Sequence, residues 1–81
     1  MKIEIITPEK TIFEGNIKSM RVPGKKGSFQ VLKDHAPIIS TLDKGMVVVI
    51  DMTGAEISFE IESGIVEVRK NQIILLVESV G

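Results

Sequence analysis

His35 is the sole histidine of the chain, and Asp34 stands directly before it. A nucleophilic relay would need a serine or cysteine held within reach of that imidazole, and no serine lies in a strained Gly-x-Ser-x-Gly elbow. There is no cysteine, which excludes a disulfide framework, a thiolate nucleophile and a thiolate metal site. A metal ion needs three or four converging ligands, whereas adjacent residues on extended backbone, such as Asp34 and His35, point apart. Acid–base work needs two titratable groups whose environments separate their pKa values within a cleft. The carboxylates here fall on alternating positions that read as solvated. The segment Gly24-Lys25-Lys26-Gly27-Ser28 carries the residue types of a phosphate-binding loop, but in the wrong order and with no helix following to offer its N-terminus. It reads as a surface hairpin whose glycines supply positive φ. No catalytic residue, metal ligand or cofactor site is expected, and no small-molecule ligand.

The elements that would position these residues are short. Turn signals recur at Thr7-Pro8, Glu14-Gly15-Asn16, Pro23-Gly24, Lys33-Asp34, Asp43-Lys44-Gly45, Thr53-Gly54, Ser63-Gly64 and Lys70-Asn71. The pieces between them run mostly four to eight residues, the length of strands and too short for typical helices. Ile and Val dominate them, as suits a pleated and half-buried surface. Residues 56–62 alternate most clearly, with Ile57, Phe59 and Ile61 on one face and Glu56, Ser58, Glu60 and Glu62 on the other. Met46–Ile50 and Ile73–Val77 are apolar throughout, so they predict strands covered on both faces or lying with an outer face against a partner. Residues 65–80 contain neither glycine nor proline, yet Lys70-Asn71-Gln72 interrupts them as a turn, giving strand–turn–strand in place of a helix. The expected fold is all-β: a sandwich or flattened barrel of about ten short, mostly antiparallel strands in two sheets, with residues 1–81 as a single domain.

Composition narrows the function classes. The chain has 81 residues, 43% hydrophobic and 4% aromatic, with ten basic against eleven acidic side chains and a net charge of −1. That length permits one core. The balance of charge excludes a bulk polycation, so indiscriminate adhesion to nucleic acid or anionic lipid is not expected. Single-strand binding would also need aromatic stacking platforms on a basic sheet, and Phe13, Phe29 and Phe59 are required inside. Glu4 and Pro8 break the opening apolar run, which argues against a signal peptide or membrane span. Charge is unevenly placed, however. Residues 16–33 hold Lys18, Arg21, Lys25, Lys26 and Lys33 without an acid, and residues 51–67 hold Asp51, Glu56, Glu60, Glu62 and Glu67 without a base. Such a molecule has a basic end and an acidic side suited to orienting against different partners.

Two resemblances attach to particular residues. Asp43-Lys44-Gly45 between apolar strands resembles the hairpin that presents a lysine for lipoylation or biotinylation in small β carrier domains. That alternative makes Lys44 a modification site, but the two quasi-equivalent halves of such domains are missing. The stronger resemblance runs through the whole chain. His35-Ala36-Pro37, followed by Ile38, Ile39 and Ser40, resembles the signature of the epsilon subunit of rotary proton-translocating ATP synthases. Thr7-Pro8 with Phe13-Glu14-Gly15, Lys44-Gly45-Met46-Val47, and Ser63-Gly64-Ile65-Val66-Glu67-Val68 followed by Asn71-Gln72-Ile73 agree with it in order and spacing.

The resemblance implies the N-terminal β-sandwich of that subunit, at the foot of the central stalk, against subunit gamma and the polar loops of the c-ring. It implies a rotor component without an active site of its own, coupling proton translocation to ATP synthesis. It also implies a peripheral position on the cytoplasmic face of the bacterial inner membrane. Lys25, Lys26, Gly27 and Ser28 would face the c-ring, while Thr7, His35, Ala36, Pro37 and Ser40 would lie toward gamma. His35 would fix its loop through ring-nitrogen hydrogen bonds near Pro37. The family usually continues into an inhibitory helical hairpin, which is expected to be absent from a chain stopping at Gly81. The sequence also departs from the family at the hairpin, where Lys25 and Lys26 stand in a loop that commonly carries an acid.

Overall fold

The computed structural model describes residues 1–78, and its regular elements are all strands. They are β1 (Lys2–Ile6), β2 (Thr11–Gly24), β3 (Gly27–Val31), β4 (Ile38–Leu42), β5 (Gly45–Asp51), β6 (Glu56–Ile61), β7 (Gly64–Arg69) and β8 (Gln72–Val77). The class is as expected, with eight strands among the described residues where about ten were anticipated. Two separate sheets were also expected, but hydrogen bonding joins all eight strands into one wrapped sheet, in the order β1-β8-β7-β4-β2-β5-β6 with β3 on β2. All pairings are antiparallel except β1 with β8.

One strand makes the difference. β2 has 14 residues and would span about 46 Å if straight. The longest principal extent of the molecule is only 26 Å, so β2 must bend sharply. Its first half pairs with β1 and its second half with β5 and β3. It therefore carries the sheet round a corner from the β1-β8-β7-β4 layer to the β3-β5-β6 layer. Glu14-Gly15-Asn16, read from sequence as a turn, lies inside this strand, and a register shift between Ile17 and Ser19 follows directly. That bulge inserts one residue, so Ile17 and Met20 both point inward although three positions apart. Pro23-Gly24 likewise closes the strand, and the reversal falls on Lys25-Lys26.

Between the layers, Ile3, Ile5, Ile17, Met20, Val22, Val31, Leu42, Val47, Val49, Ile61, Val66, Val68, Ile73, Leu75 and Val77 form one buried cluster. The phenylalanines expected inside are only partly buried and pack on its margin. Phe13 and Phe59 line an apolar recess with Ile5, Val49 and Ile57, where the barrel stays open beside β6. β5 and β8 are not covered on both faces: Val47 and Val49, and Ile73, Leu75 and Val77, are buried, while Met46, Ile74 and Leu76 are exposed. Covering the second face would require something outside the described chain.

Two turns fix the loop positions. Lys70 and Asn71 both have positive φ, as a two-residue primed hairpin demands. Asp51 organises the β5–β6 connection: its Oδ1 accepts from the Thr53 hydroxyl at 2.6 Å and from the Thr53 and Ala55 amides at 2.9 Å each. The Thr53 hydroxyl foremost, then the Ala55 amide, hold the Asp51 carboxyl below its ordinary 3.8. A depressed folded value stabilises the fold above the ordinary pKa, and the gain disappears as pH falls through the folded value. Asp51→Asn should accordingly melt lower than the parent at neutral pH. The two thermal melting curves should converge as pH is lowered through the acid range, and a constant gap would contradict this role.

Candidate interaction surfaces

The hairpin predicted at residues 24–28 forms at the β2–β3 reversal, with Gly24 paired to Gly27 and the two lysines at its tip. Only one of its glycines is needed for φ: Gly27 stands at +128°. Gly24 is needed for space, since a Cβ there would lie 2.7 Å from the Gly27 carbonyl oxygen and 2.9 Å from the Phe29 ring. The Lys25 amide donates to the Thr41 carbonyl at 3.2 Å and the Asp43 amide to the Pro23 carbonyl at 2.8 Å, which pins the hairpin against the end of β4. Both lysines, Gly27 and Ser28 are exposed.

The residues assigned toward gamma do not form one patch. Thr7 closes the β1–β2 turn, its hydroxyl donating to the Lys10 carbonyl at 3.1 Å and accepting from the Lys10 amide at 3.2 Å. It shares a cleft with Lys25, Thr41, Asp43 and Ile65, at the hairpin end of the molecule. His35, Ala36 and Pro37 lie at the opposite end of β4, about 13 Å of strand away. There the Asp34 amide donates to Asn71 Oδ1 at 2.7 Å and Asn71 Nδ2 donates to Asp34 Oδ1 at 2.9 Å, tying this loop to the β7–β8 turn. Half-buried His35 donates from Nδ1 to the Ala36 carbonyl at 2.7 Å, because a carbonyl can only accept. This is the loop-fixing hydrogen bond anticipated near Pro37. Ser40 sits midway along β4 on the inward side, its hydroxyl donating to the Thr41 carbonyl at 3.2 Å.

Sequence reasoning missed the surface between these two ends. Alternation along β4, β7, β8 and β1 turns Ile39, Thr41, Ile65, Glu67, Ile74, Leu76, Glu4 and Ile6 outward from the core. The register places Thr41, Ile65, Leu76 and Ile6 in one row across the four strands, and Ile39, Glu67, Ile74 and Glu4 in the next. Ile39 is 71% exposed, Leu76 46% and Ile65 44%. Exposed apolar side chains therefore stand on neighbouring strands of one face, with Glu67 and Glu4 among them. The signal was visible only in part: the apolar run at 73–77 announced half of the patch, but nothing local in the sequence joins Ile39 to it.

Lys44 does not sit where a carrier lysine would. β4 and β5 pair with other strands and not with each other, so residues 43–44 form a crossover between layers instead of a hairpin tip. Its ammonium lies 4.0 Å from the Glu62 carboxylate, both side chains being exposed. Among the described residues no group of His, Asp or Glu side chains could hold a metal ion, and no helix is long and apolar enough to cross a membrane.

Comparison with known proteins agrees with this geometry. Residues 1–80 match the family model described as the beta-sandwich domain of the ATP synthase delta/epsilon chain. The chain is 43% identical over 80 residues to the ATP synthase epsilon chain of Chlorobium limicola, covering 99% of this chain and 91% of that one. It is 38% identical to the epsilon chain of Sulfurovum sp., but there it spans 61% of the relative's length. Its fold matches a chain in the cryo-EM structure of the Euglena gracilis mitochondrial ATP synthase (OSCP, F1 and c-ring), with a TM-score of 0.92 at 15% identity. That match covers 98% of this chain and 51% of the other.

Proposed function

The chain belongs to the delta/epsilon family of ATP synthase chains, and from that premise we propose that it is a non-catalytic subunit of the rotor. In this reading it links subunit gamma to the c-ring and so couples proton translocation to ATP synthesis. It works at the cytoplasmic face of the inner membrane, peripheral to the lipid, and the catalytic sites lie in other subunits. The single observation that carries the reading is the apolar outer face of β4, β7 and β8. Ile39, Ile65 and Leu76 stand exposed on three neighbouring strands of so small a molecule, and Ile39 lies two residues from the His35-Ala36-Pro37 loop assigned to the gamma side. The basic hairpin at the end of β2 would then meet the polar loops of the ring, steering assembly more than adding affinity.

A part that hands torque from one body to another must deform little. A wrapped sheet whose strands are joined by short turns around a close-packed aliphatic core meets that need. Deleting the chain from its native host should leave ATP hydrolysis in the soluble sector while abolishing proton pumping driven by it. Membranes that still pump at the parental rate without the chain would refute the coupling role.

A further inference from the structure

The Lys25-Lys26 hairpin stands over a cleft that borders the apolar face and shares Ile39 and Thr41 with it. β3 and β4 diverge there without pairing, and the space between them is lined by Lys25, Lys26, Ser28, Phe29, Ser40 and Thr41, among others. No acidic residue lines it, and neither lysine forms an ion pair among the described residues. Asp43 and Glu78 lie in the neighbouring cleft, which Lys25 also borders. The cleft has a volume of about 670 Å³, within the range of roughly 300–1,000 Å³ typical of small-ligand sites.

The wall at β4 adds donors. The Thr41 carbonyl accepts from the Lys25 amide, so the peptide groups of Thr41 point away from β7 and toward the hairpin. In an antiparallel strand the N–H and C=O of one residue face the same side, and every second residue repeats the orientation. The N–H groups of Thr41 and Ile39 are therefore directed away from β7, onto the cleft side. The Thr41 carbonyl is already occupied, by the Lys25 amide and by the Ser40 hydroxyl at 3.2 Å. Lys25, Lys26, Ser28 and Thr41 thus line one space, with the Thr41 amide on its side of β4. Lysine ammoniums acting as point charges beside hydroxyl and amide donors suit the several acceptor oxygens of a phosphate.

We propose that the β3–β4 cleft binds a phosphate group, carried either by a phospholipid headgroup or by a soluble phosphate. The inference does not depend on the rotor reading, since it rests on the lining of the cleft alone.

The test uses the full chain, isotopically labelled, in two arms. Amide resonances are followed by NMR as inorganic phosphate is added at an ionic strength held constant with chloride. Cosedimentation is measured with phosphatidylcholine vesicles that contain or lack phosphatidylglycerol. The expected result is a saturable shift at Ser28, Ile39 and Thr41, weakened about tenfold or more in Lys25→Gln/Lys26→Gln. Thermal melting of the double variant verifies that it remains folded, as two exposed tip positions should allow. Sedimentation only with phosphatidylglycerol, and lost in the double variant, identifies the lipid headgroup as the source. A phosphate shift without vesicle binding identifies a soluble phosphate. Absence of both, or binding that the double variant retains in full, overturns the site.

Discussion

Ile65→Glu combined with Leu76→Glu should abolish assembly with the proposed partner, subunit gamma. The isolated chain should stay folded, with a loss of about 1–2 kcal/mol from two like charges set opposite each other. The two residues are opposite each other on β7 and β8, point away from the core, and are roughly half exposed. Taken singly, substitutions at such positions change folding free energy by about 0.5 kcal/mol or less. In an interface they would be central, fully covered anchors, where truncation of one residue typically costs about 2 kcal/mol or more. Burying two uncompensated carboxylates in their place adds a desolvation penalty, so affinity should fall by at least about a hundredfold. Copurification with gamma, read beside a thermal melt of the isolated variant, checks both halves of the expectation. Met46→Glu provides the contrast. Met46 is 48% exposed, but it lies on β5 in the other layer. Its substitution should leave assembly intact. If the double variant still copurified with gamma, the β4-β7-β8 face would not be the docking surface.

How far this surface could be read from sequence follows from the range over which the signals act. Local ones were legible: the reversals at Lys33-Asp34, Thr53-Gly54 and Lys70-Asn71 fall where turn residues cluster, and the alternation of β6 holds at Phe59-Glu60-Ile61 but not at Ile57, which is exposed. The apolar runs were legible only in part: Ile73–Val77 was expected to be covered on both faces or to lie with one face against a partner, and Ile74 and Leu76 stand exposed. Illegible was whatever depends on two distant segments. Gly15 carries a turn residue's identity, yet it lies inside a continuous strand, paired with Ile3 of β1, and β5 takes over from Ile17 onward. Ile39 gains meaning only when β7 places Glu67 and Ile65 beside it. The separation of Thr7 from His35 belongs to the same kind: both were assigned toward one partner, and the length of β4 lies between them. The bracing of the Thr53-Gly54 turn by Asp51 was missed for a different reason. Asp-x-Thr-x-Ala is compatible with many backbones, and only the closed loop brings three donors onto one oxygen.

Leu75→Ala should remove about 2–5 kcal/mol of stability, whereas Leu76→Ala, one residue on, should remove far less. Leu75 is fully buried, with Ile5 beside it on β1 and Val66 on β7. Truncation there loses the transfer energy of the side chain and leaves a cavity that two backbone-paired neighbours cannot collapse to fill. A domain of this size has about 4–12 kcal/mol in total, so the variant should unfold at much lower denaturant concentration and, at the lower end, populate unfolded chain in water. Leu76 points the other way, with 46% of its surface exposed, so its alanine variant opens no enclosed cavity and loses only the partial cover of its strand neighbours. The two leucines are adjacent and chemically identical, so composition and propensity cancel between them and only the facing of the strand remains. A strand slipped by one residue would exchange the two outcomes, because each step in register moves every side chain to the opposite face. Chemical denaturation of both variants therefore measures the register of β8 directly. That register also decides whether Leu76 is available to the apolar face proposed to meet gamma.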